Sequence, residues 1–375
     1  MLATTAAMIE QFNKDNIELL LSMGYEVHMF GNFDKGNPIS KERLDAFKIW
    51  LEERGCRYFN STATRSPFDL KNNIKAYQET VKLIEKWQYD FIHCHTPIGS
   101  VIARLAGKRT GTRVIYTAHG FHFYKGAPIK NWLLYYPVEK ALSSWTDVLI
   151  TITKEDYQRA KAHMYAGKTA YVPGIGVKAQ EFSSFSKKVR EEFRGRLGLS
   201  HGDLAILTAG ELNQNKNQQL VFRAIAAIKE PHVHYFLCGI GDKEEELKTL
   251  AKELGIADQV HILGFRDDMK EIYAAVDIYC CSSLREGLSV AIMEAMSAGL
   301  PCLVSKIRGN TDLVQEGENG YLFESNNVEE LTKKLRLLLE DPKTRAKMRD
   351  GNKEIIQAFE SKAIRKRMSR IYGGM

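Results

Sequence analysis

The stretch Ser282-Ser-Leu-Arg-Glu-Gly-Leu-Ser-Val-Ala-Ile-Met-Glu-Ala-Met-Ser-Ala-Gly-Leu-Pro301 organises the reading of this chain. An apolar run, Asp277 to Cys281, precedes it and reads as a buried strand; a second, Pro301 to Ser305, follows it. Between them Val290, Met293 and Ala298 mark a helical pattern that Gly299-Leu300-Pro301 stops. Glu286 falls in the loop after the first strand, and Gly287 predicts a sharp turn there and close approach of a ligand. The amides of Leu288 and Ser289 then lie at a helix N-terminus, where unpaired donors suit phosphate. Glu294, eight residues after Glu286, is inside the helix. One carboxylate at the rim and one about a turn deeper can each hold a different hydroxyl-bearing part of one ligand. A bare pair of glutamates more often marks a solvated face, so the rest of the chain has to decide.

Outward from this block, strand-like runs alternate with helical patterns. In the first half these are Met1–Thr4, Tyr25–Phe30, Tyr89–His95, Arg113–Thr117, Asp147–Ile152 and Thr169–Pro173, with helices over Met8–Met23, Ser40–Arg54, Asn72–Trp87 and Ser100–Lys108. A strand beginning at residue 1 reads as the tail of a longer one. Such alternation implies βαβ units and a parallel sheet, with ligands bound beyond the carboxyl ends of the strands. His95 and His119 fall at two such ends, and His122 follows closely. A lone loop histidine is usually structural, so context must carry any role. Pro173-Gly-Ile-Gly-Val177 is the hinge candidate, giving a first domain over 1–174 and a second over 175–360. The basic helix Ser361–Tyr372, within the tail 361–375, is expected to return to the first domain.

The second half opens with Leu204–Gly210 as a strand, then Glu211-Leu-Asn-Gln-Asn-Lys-Asn217 and a helix from Gln218. Lys216, at a helix start opposite a strand end that finishes in Gly210, can neutralise a diphosphate. Gly239-Ile-Gly-Asp242 is too short of glycines to count as a phosphate loop. Gly264-Phe-Arg-Asp-Asp268 leads from a strand into a helix, and Arg266 reads equally well as a ligand contact or as a partner of Asp267 or Asp268.

Glu286-x7-Glu294 followed by Ala295-Met-x-Ala-Gly-x-Pro301 resembles the retaining glycosyltransferases of family four, and the segment Tyr116-Thr-Ala-His-Gly-Phe-His-Phe-Tyr-Lys-Gly-Ala-Pro128 resembles those that build bacterial exopolysaccharide and capsule. The likeness covers nearly the whole chain. It implies the GT-B fold, an α/β architecture of two Rossmann-like domains facing each other across a cleft. It implies transfer of a hexose or N-acetylhexosamine from a nucleotide sugar, expected to be UDP-linked, to a glycan acceptor in polyprenyl-diphosphate-linked form. By the same resemblance Glu286 and His119 face the donor sugar and Glu294 the ribose. Lys216 matches the family's phosphate-neutralising Lys, Arg266 would lie along the base, and Gly210, Gly287, Leu288 and Ser289 are further donor-binding candidates. His95 and His122 remain acceptor-side candidates. No metal and no resident cofactor is expected. Two departures stand out: Glu211 occupies the place of a phosphate-binding Arg, and the first loop carries Thr5-Ala-Ala7 where the family has glycines. The rival readings are a nucleotide-sugar epimerase of the same fold and a non-catalytic nucleotide-sugar-binding partner.

The bulk numbers agree with two soluble domains. The chain has 375 residues, 44% hydrophobic and 26% charged, and no apolar run approaches the ~20 residues of a membrane span. The six cysteines, 56, 94, 238, 280, 281 and 302, form no CxxC pair and read as buried reduced thiols of a cytoplasmic protein. Residues 1–175 carry 23 Lys and Arg against 17 Asp and Glu, whereas the remaining 200 carry 30 against 29. That excess of base, with Trp132-Leu-Leu-Tyr-Tyr136 between Lys130 and Lys140, fits peripheral contact with an anionic membrane at its inner face, and no nucleic acid is expected; a buried helix of the first domain with merely solubilising charge fits the same pattern.

Overall fold

Thirteen strands, all paired in parallel, form two sheets among the residues described by the computed structural model, which are all but Lys35, Gly36, Pro38 and Ser184. The first sheet comprises β1 (Leu2–Thr5), β2 (His28–Asn32), β3 (Arg57–Asn60), β4 (Phe91–His95), β5 (Arg113–Ala118), β6 (Val148–Thr151) and β7 (Lys168–Tyr171), in the order β3-β2-β1-β4-β5-β6-β7. The second comprises β8 (Leu204–Ala209), β9 (Val233–Cys238), β10 (Val260–Gly264), β11 (Ile278–Cys281), β12 (Cys302–Ser305) and β13 (Gly320–Phe323), in the order β10-β9-β8-β11-β12-β13. Each order reverses once, between β1 and β4 and between β8 and β11. In a doubly wound sheet that reversal leaves a crevice at the carboxyl ends where ligands bind.

The strands run as apolar stretches because both faces of each sheet are covered. In β5 the residues alternate, Val114 and Tyr116 entering one buried cluster and Ile115 the other, as a two-residue period requires. Contacts divide the chain into one unit of Met1–Ile175 with Ile364–Met375 and another of Gly176–Ala363. The C-terminal helix Ser361–Tyr372 contributes Ile364, Met368, Ile371 and Tyr372 to the first unit's core. Tyr372 also hydrogen-bonds His93 at 2.8 Å. In the second unit Asp277, just before β11, binds Arg190 at 2.6 Å, Arg194 at 3.1 Å and the Ala205 amide at 2.9 Å, which fixes β11 beside β8.

The structure departs from the sequence reading at several points. The first helical stretch is two helices, Ala6–Phe12 and Lys14–Ser22, and the first begins directly after Thr5 with no loop. Strand β3 and the helix Lys154–His163 have no counterpart in the sequence reading. Gly287 is not among the glycines of positive φ, so the turn after Glu286 does not depend on a left-handed residue. In the helix Ile129–Ser143 the aromatic residues do not face out as a membrane-interface cluster would. Trp132 and Tyr136 pack on Phe123, with ring centroids 5.7 and 5.3 Å away, and the Arg159 guanidinium lies 5.0 Å from the Trp132 ring. The residues that face out are aliphatic. All six cysteines are buried and free.

Candidate functional site

In the second unit the strand-end loops after β8 and β11 are joined side to side. The Leu284 amide donates to the Asn215 carbonyl at 2.8 Å, and Asn215 Nδ2 to the Arg285 carbonyl at 3.0 Å. Ser282 Oγ lies 2.9 Å from both the Lys216 and the Asn217 carbonyls. These contacts set Lys216 Nζ 2.5 Å from Glu286 Oε1, pairing residues 70 positions apart. Burial pulls the Lys216 ammonium down, but Glu286, with Cys281 and Glu211 nearby, more than offsets it. The net shift is upward and the lysine is a cation. Glycines make room for this arrangement. A Cβ on Gly210, whose φ is 150°, would lie 3.1 Å from Lys216 Cε, and one on Gly239 only 2.0 Å from the Gly210 carbonyl oxygen. The glycines after β9 are thus explained by loop packing.

Glu211 does not oppose Lys216 directly. Its carboxylate accepts from Asn213 Nδ2 at 2.9 Å and its carbonyl from Gln218 Nε2 at 2.9 Å. After Glu286 the chain reaches the helix Val290–Ser297, capped by Ser289 Oγ accepting from the Ile292 amide at 3.4 Å. The Leu288 and Ser289 amides donate to no group among the described residues. Gly309, with φ of 85°, presses on this turn, because a Cβ there would fall 1.5 Å from the Gly287 carbonyl oxygen. Glu294, deeper in the helix, accepts from the fully buried Tyr273 hydroxyl at 3.1 Å. Burial raises the Glu294 carboxyl above its ordinary range, and the Tyr273 hydrogen bond only partly offsets that. Arg266 forks onto Asp268 at 2.8 and 2.5 Å, the pairing that one of its two readings expects. Beside it Phe265, 74% exposed after the glycine that ends β10, offers a bare ring.

The first unit gathers histidines at the ends of β4 and β5. His95 Nδ1 and His119 Nε2 are 3.1 Å apart and share one proton, and the His93 ring packs at a tilt against His95 with centroids at 4.2 Å. Burial lowers His119 to about 4 and His93 to about 3, and drives His95 well below the usual histidine value, so the three imidazoles are neutral near pH 7. His95 Nε2 is buried with no hydrogen-bond partner among the described residues. Thr96, next in the chain, holds a φ of 66°, a costly geometry for a β-branched residue. Its Oγ1 accepts from the Thr4 amide at 3.2 Å, and a Cβ on Gly99 would come within 2.7 Å of it. Thr96 lines a cavity of about 370 Å³ with Thr5, Phe12, Arg65 and His122. His122 is stacked on Tyr135 with centroids at 4.4 Å, and the His119 ring lies 5.8 Å from that of Phe12.

The structure therefore brings Lys216, Gly210, Glu286, Gly287, Leu288, Ser289 and Glu294 together in one unit, and His95, His119 and His122 in the other. The sequence reading passed over Ser282, Asn215 and Gly309, which position the others. Only the polar residues flanking β11 and the glycine before Asn310 hinted at them.

Comparison with known proteins follows the same division. Residues 9–174 match the family described as Glycosyltransferase Family 4, and residues 189–355 match Glycosyl transferases group 1. The chain is 37% identical over 377 aligned residues to the putative glycosyltransferase EpsD of Bacillus subtilis, covering 99% of this chain and 94% of that one. It is 26% identical, over 97% of its length and 92% of the relative's, to an Escherichia coli protein named UDP-Gal:alpha-D-GlcNAc-diphosphoundecaprenol alpha-1,3-galactosyltransferase. Among solved structures, Anabaena Alr3699/HepE in complex with UDP superposes with a TM-score of 0.81 at 20% identity, covering 100% of this chain and 99% of that one. With two doubly wound parallel sheets and matches spanning both units, the chain belongs to the family-four glycosyltransferases of GT-B fold.

Proposed function

We propose that this glycosyltransferase moves a hexose or N-acetylhexosamine, with retention, from a UDP-sugar to a glycan carried on polyprenyl diphosphate, in exopolysaccharide or capsule synthesis. The observation that carries the donor half is the cationic Lys216 held 2.5 Å from Glu286, one turn of chain before two unpaired amides. Lys216 and the Leu288 and Ser289 amides stabilise charge on the departing diphosphate without a metal. Glu286 and His119 orient the sugar, Glu294 takes the ribose hydroxyls, and Phe265 stacks on the base. The acceptor half is favoured by the printed activity of the E. coli relative, which acts on a diphosphoundecaprenol-linked sugar. Contact with a lipid-linked acceptor would on this reading be peripheral, at the cytoplasmic face; among the described residues no helix is long and apolar enough to cross a membrane.

A thermal-shift screen of UDP- and GDP-sugars identifies the donor, since binding stabilises by mass action. Product analysis then separates the rivals: an epimerase releases free sugar, and a non-catalytic binder gives a shift without product. Transfer is expected to persist in EDTA. Complete loss in chelator with recovery on Mn²⁺ or Mg²⁺ would overturn the metal-independent reading.

A further inference from the structure

The first unit carries an apolar groove of about 380 Å³ between the helices Leu70–Trp87, Pro97–Thr110 and Ile129–Ser143. Its walls are unusually bare for a folded surface: Leu70 is 65% exposed, Ile74 55%, Leu134 50%, Val138 45% and Leu105 37%. Contiguous apolar surface of this kind marks a place where something apolar binds. The one carboxylate on the groove, Glu139, is already satisfied. Arg104 Nη1 donates to it at 2.8 Å and the Tyr116 hydroxyl at 3.3 Å, while the other Arg104 nitrogens bind Ser100. A buried pair so fully bonded ties the 97–110 helix to the 129–143 helix and leaves no free charge to repel an apolar chain.

The groove does not end blindly. Pro67, Pro97, Ile98 and Tyr135 line both it and the 370 Å³ cavity that holds Thr5, Thr96 and His122, so the two hollows adjoin across these side chains. The character changes along the way. At the cavity end lies Arg65, exposed and without an ion pair among the described residues. The first turn of the 97–110 helix lines the same cavity, and its positive end adds to that of Arg65. The His122–Tyr135 stack offers a flat face of the kind that packs on a sugar ring. The groove is thus almost wholly apolar, whereas the cavity mixes apolar walls with Thr5, Gln11, Thr96 and His122 and carries the Arg65 cation.

We propose that the pair of hollows seats an amphiphilic acceptor, the groove taking the first isoprene units of its polyprenyl chain and the cavity, through Arg65, its diphosphate and sugar. This deepens the reading of the acceptor as polyprenyl-diphosphate-linked and rests on it. The groove, rather than the inward-packed Trp132 and Tyr136, is what recognises lipid.

Farnesyl diphosphate, three isoprene units without a sugar, is the probe, titrated calorimetrically into the full chain with UDP saturating the second unit. It should bind at least tenfold tighter than inorganic diphosphate. The double variant Leu134→Asp/Val138→Asp alters exposed side chains, and a retained UDP-induced rise in melting temperature reports that it is folded. It should lose that tenfold advantage, and Arg65→Ala should weaken farnesyl diphosphate while leaving farnesol unaffected. Equal binding of farnesyl and inorganic diphosphate, or full farnesyl diphosphate affinity in the double variant, overturns the proposal. So does a double variant that loses only its binding to isoprenoid-free phosphatidylglycerol vesicles, because the face then rests on a bilayer. Absence of any UDP effect on the wild type speaks instead against the donor reading, and the farnesyl diphosphate comparison still decides the groove.

Discussion

Replacing Glu294 by Gln tests the donor site without disturbing its frame. The glutamine carbonyl can still accept from the Tyr273 hydroxyl, 3.1 Å away in the native protein, so the buried phenol keeps its partner. What changes is charge. A hydrogen bond to an ionised acceptor is worth about 1.5–3 kcal/mol and a neutral one about 0.5–1.5, so the variant should lose about 1–2 kcal/mol of UDP binding, roughly 5- to 30-fold in Kd. The sign for stability is opposite. Burial raises the Glu294 carboxyl in the folded state, so the folded protein binds this proton more readily than the unfolded chain. Its ionisation therefore costs stability as pH rises through the unfolded value of about 4.3 and beyond the raised folded one. Removing the charge should leave the ligand-free melting temperature at pH 7 unchanged or higher. UDP affinity in the wild type should also weaken as pH falls toward the raised carboxyl value. Calorimetry with UDP and with inorganic diphosphate, which lacks ribose, reads the specificity. An equal loss for both ligands, no loss for UDP, or a melting temperature lowered by more than about 4 °C, the scale of about 1–2 kcal/mol in a domain of this size, would refute the ribose assignment.

Gly309→Ala should displace the turn at Gly287, whose carbonyl oxygen the new Cβ would meet at 1.5 Å, and cut UDP affinity at least tenfold; unchanged calorimetry would show that the turn does not hold the diphosphate. Because burial brings His119 to about 4, activity should show no His119-dependent inflection between pH 6 and 8; an inflection near pH 6.5 that disappears in His119→Gln would contradict the buried, neutral imidazole. Lys216→Met should lower the melting temperature by stranding Glu286, and Lys216→Met/Glu286→Gln should recover much of that loss while neither variant binds UDP well. Equal melting temperatures for the two variants would mean that the pair carries no mutual stabilisation.

How much of this was legible in the sequence differs by residue. That both sheets are parallel was legible from apolar runs alternating with helical patterns, because a parallel sheet covered on both faces needs continuous apolar strands; the order of strands, with its reversal in each sheet, came only from the structure. The helix Ser361–Tyr372 has the bounds its residues announce. Arg57-Tyr-Phe-Asn60 escaped notice because an edge strand this short and half exposed has no apolar run to show. In the 129–143 helix, aromatic and aliphatic residues occupy both faces, so periodicity could not say which turned inward, and Phe123 and Arg159 decided it. At the donor site Glu286, Glu294 and Lys216 stand out by type and spacing. Nothing local in the sequence reveals that Ser282 and Asn215 join two loops some 70 positions apart, since a hydrogen bond between distant segments leaves no periodic trace.

The Lys216–Glu286 pair bears on how the donor site works. At 14–21% side-chain exposure neither group is well solvated, so each depends on the other for compensation. A diphosphate reaching Lys216 supplies a second anion at the same ammonium and competes with Glu286 for it. The exchange replaces one charge-assisted contact by another, so it costs far less than exposing a bare lysine in a partly dry site. On the proposed donor reading it would also free a carboxylate for the sugar attached to that diphosphate. If Lys216 takes the diphosphate as proposed, arrival of the phosphates and availability of Glu286 for the sugar hydroxyls would be one event, with the loop contacts through Asn215 and Ser282 holding both partners in place.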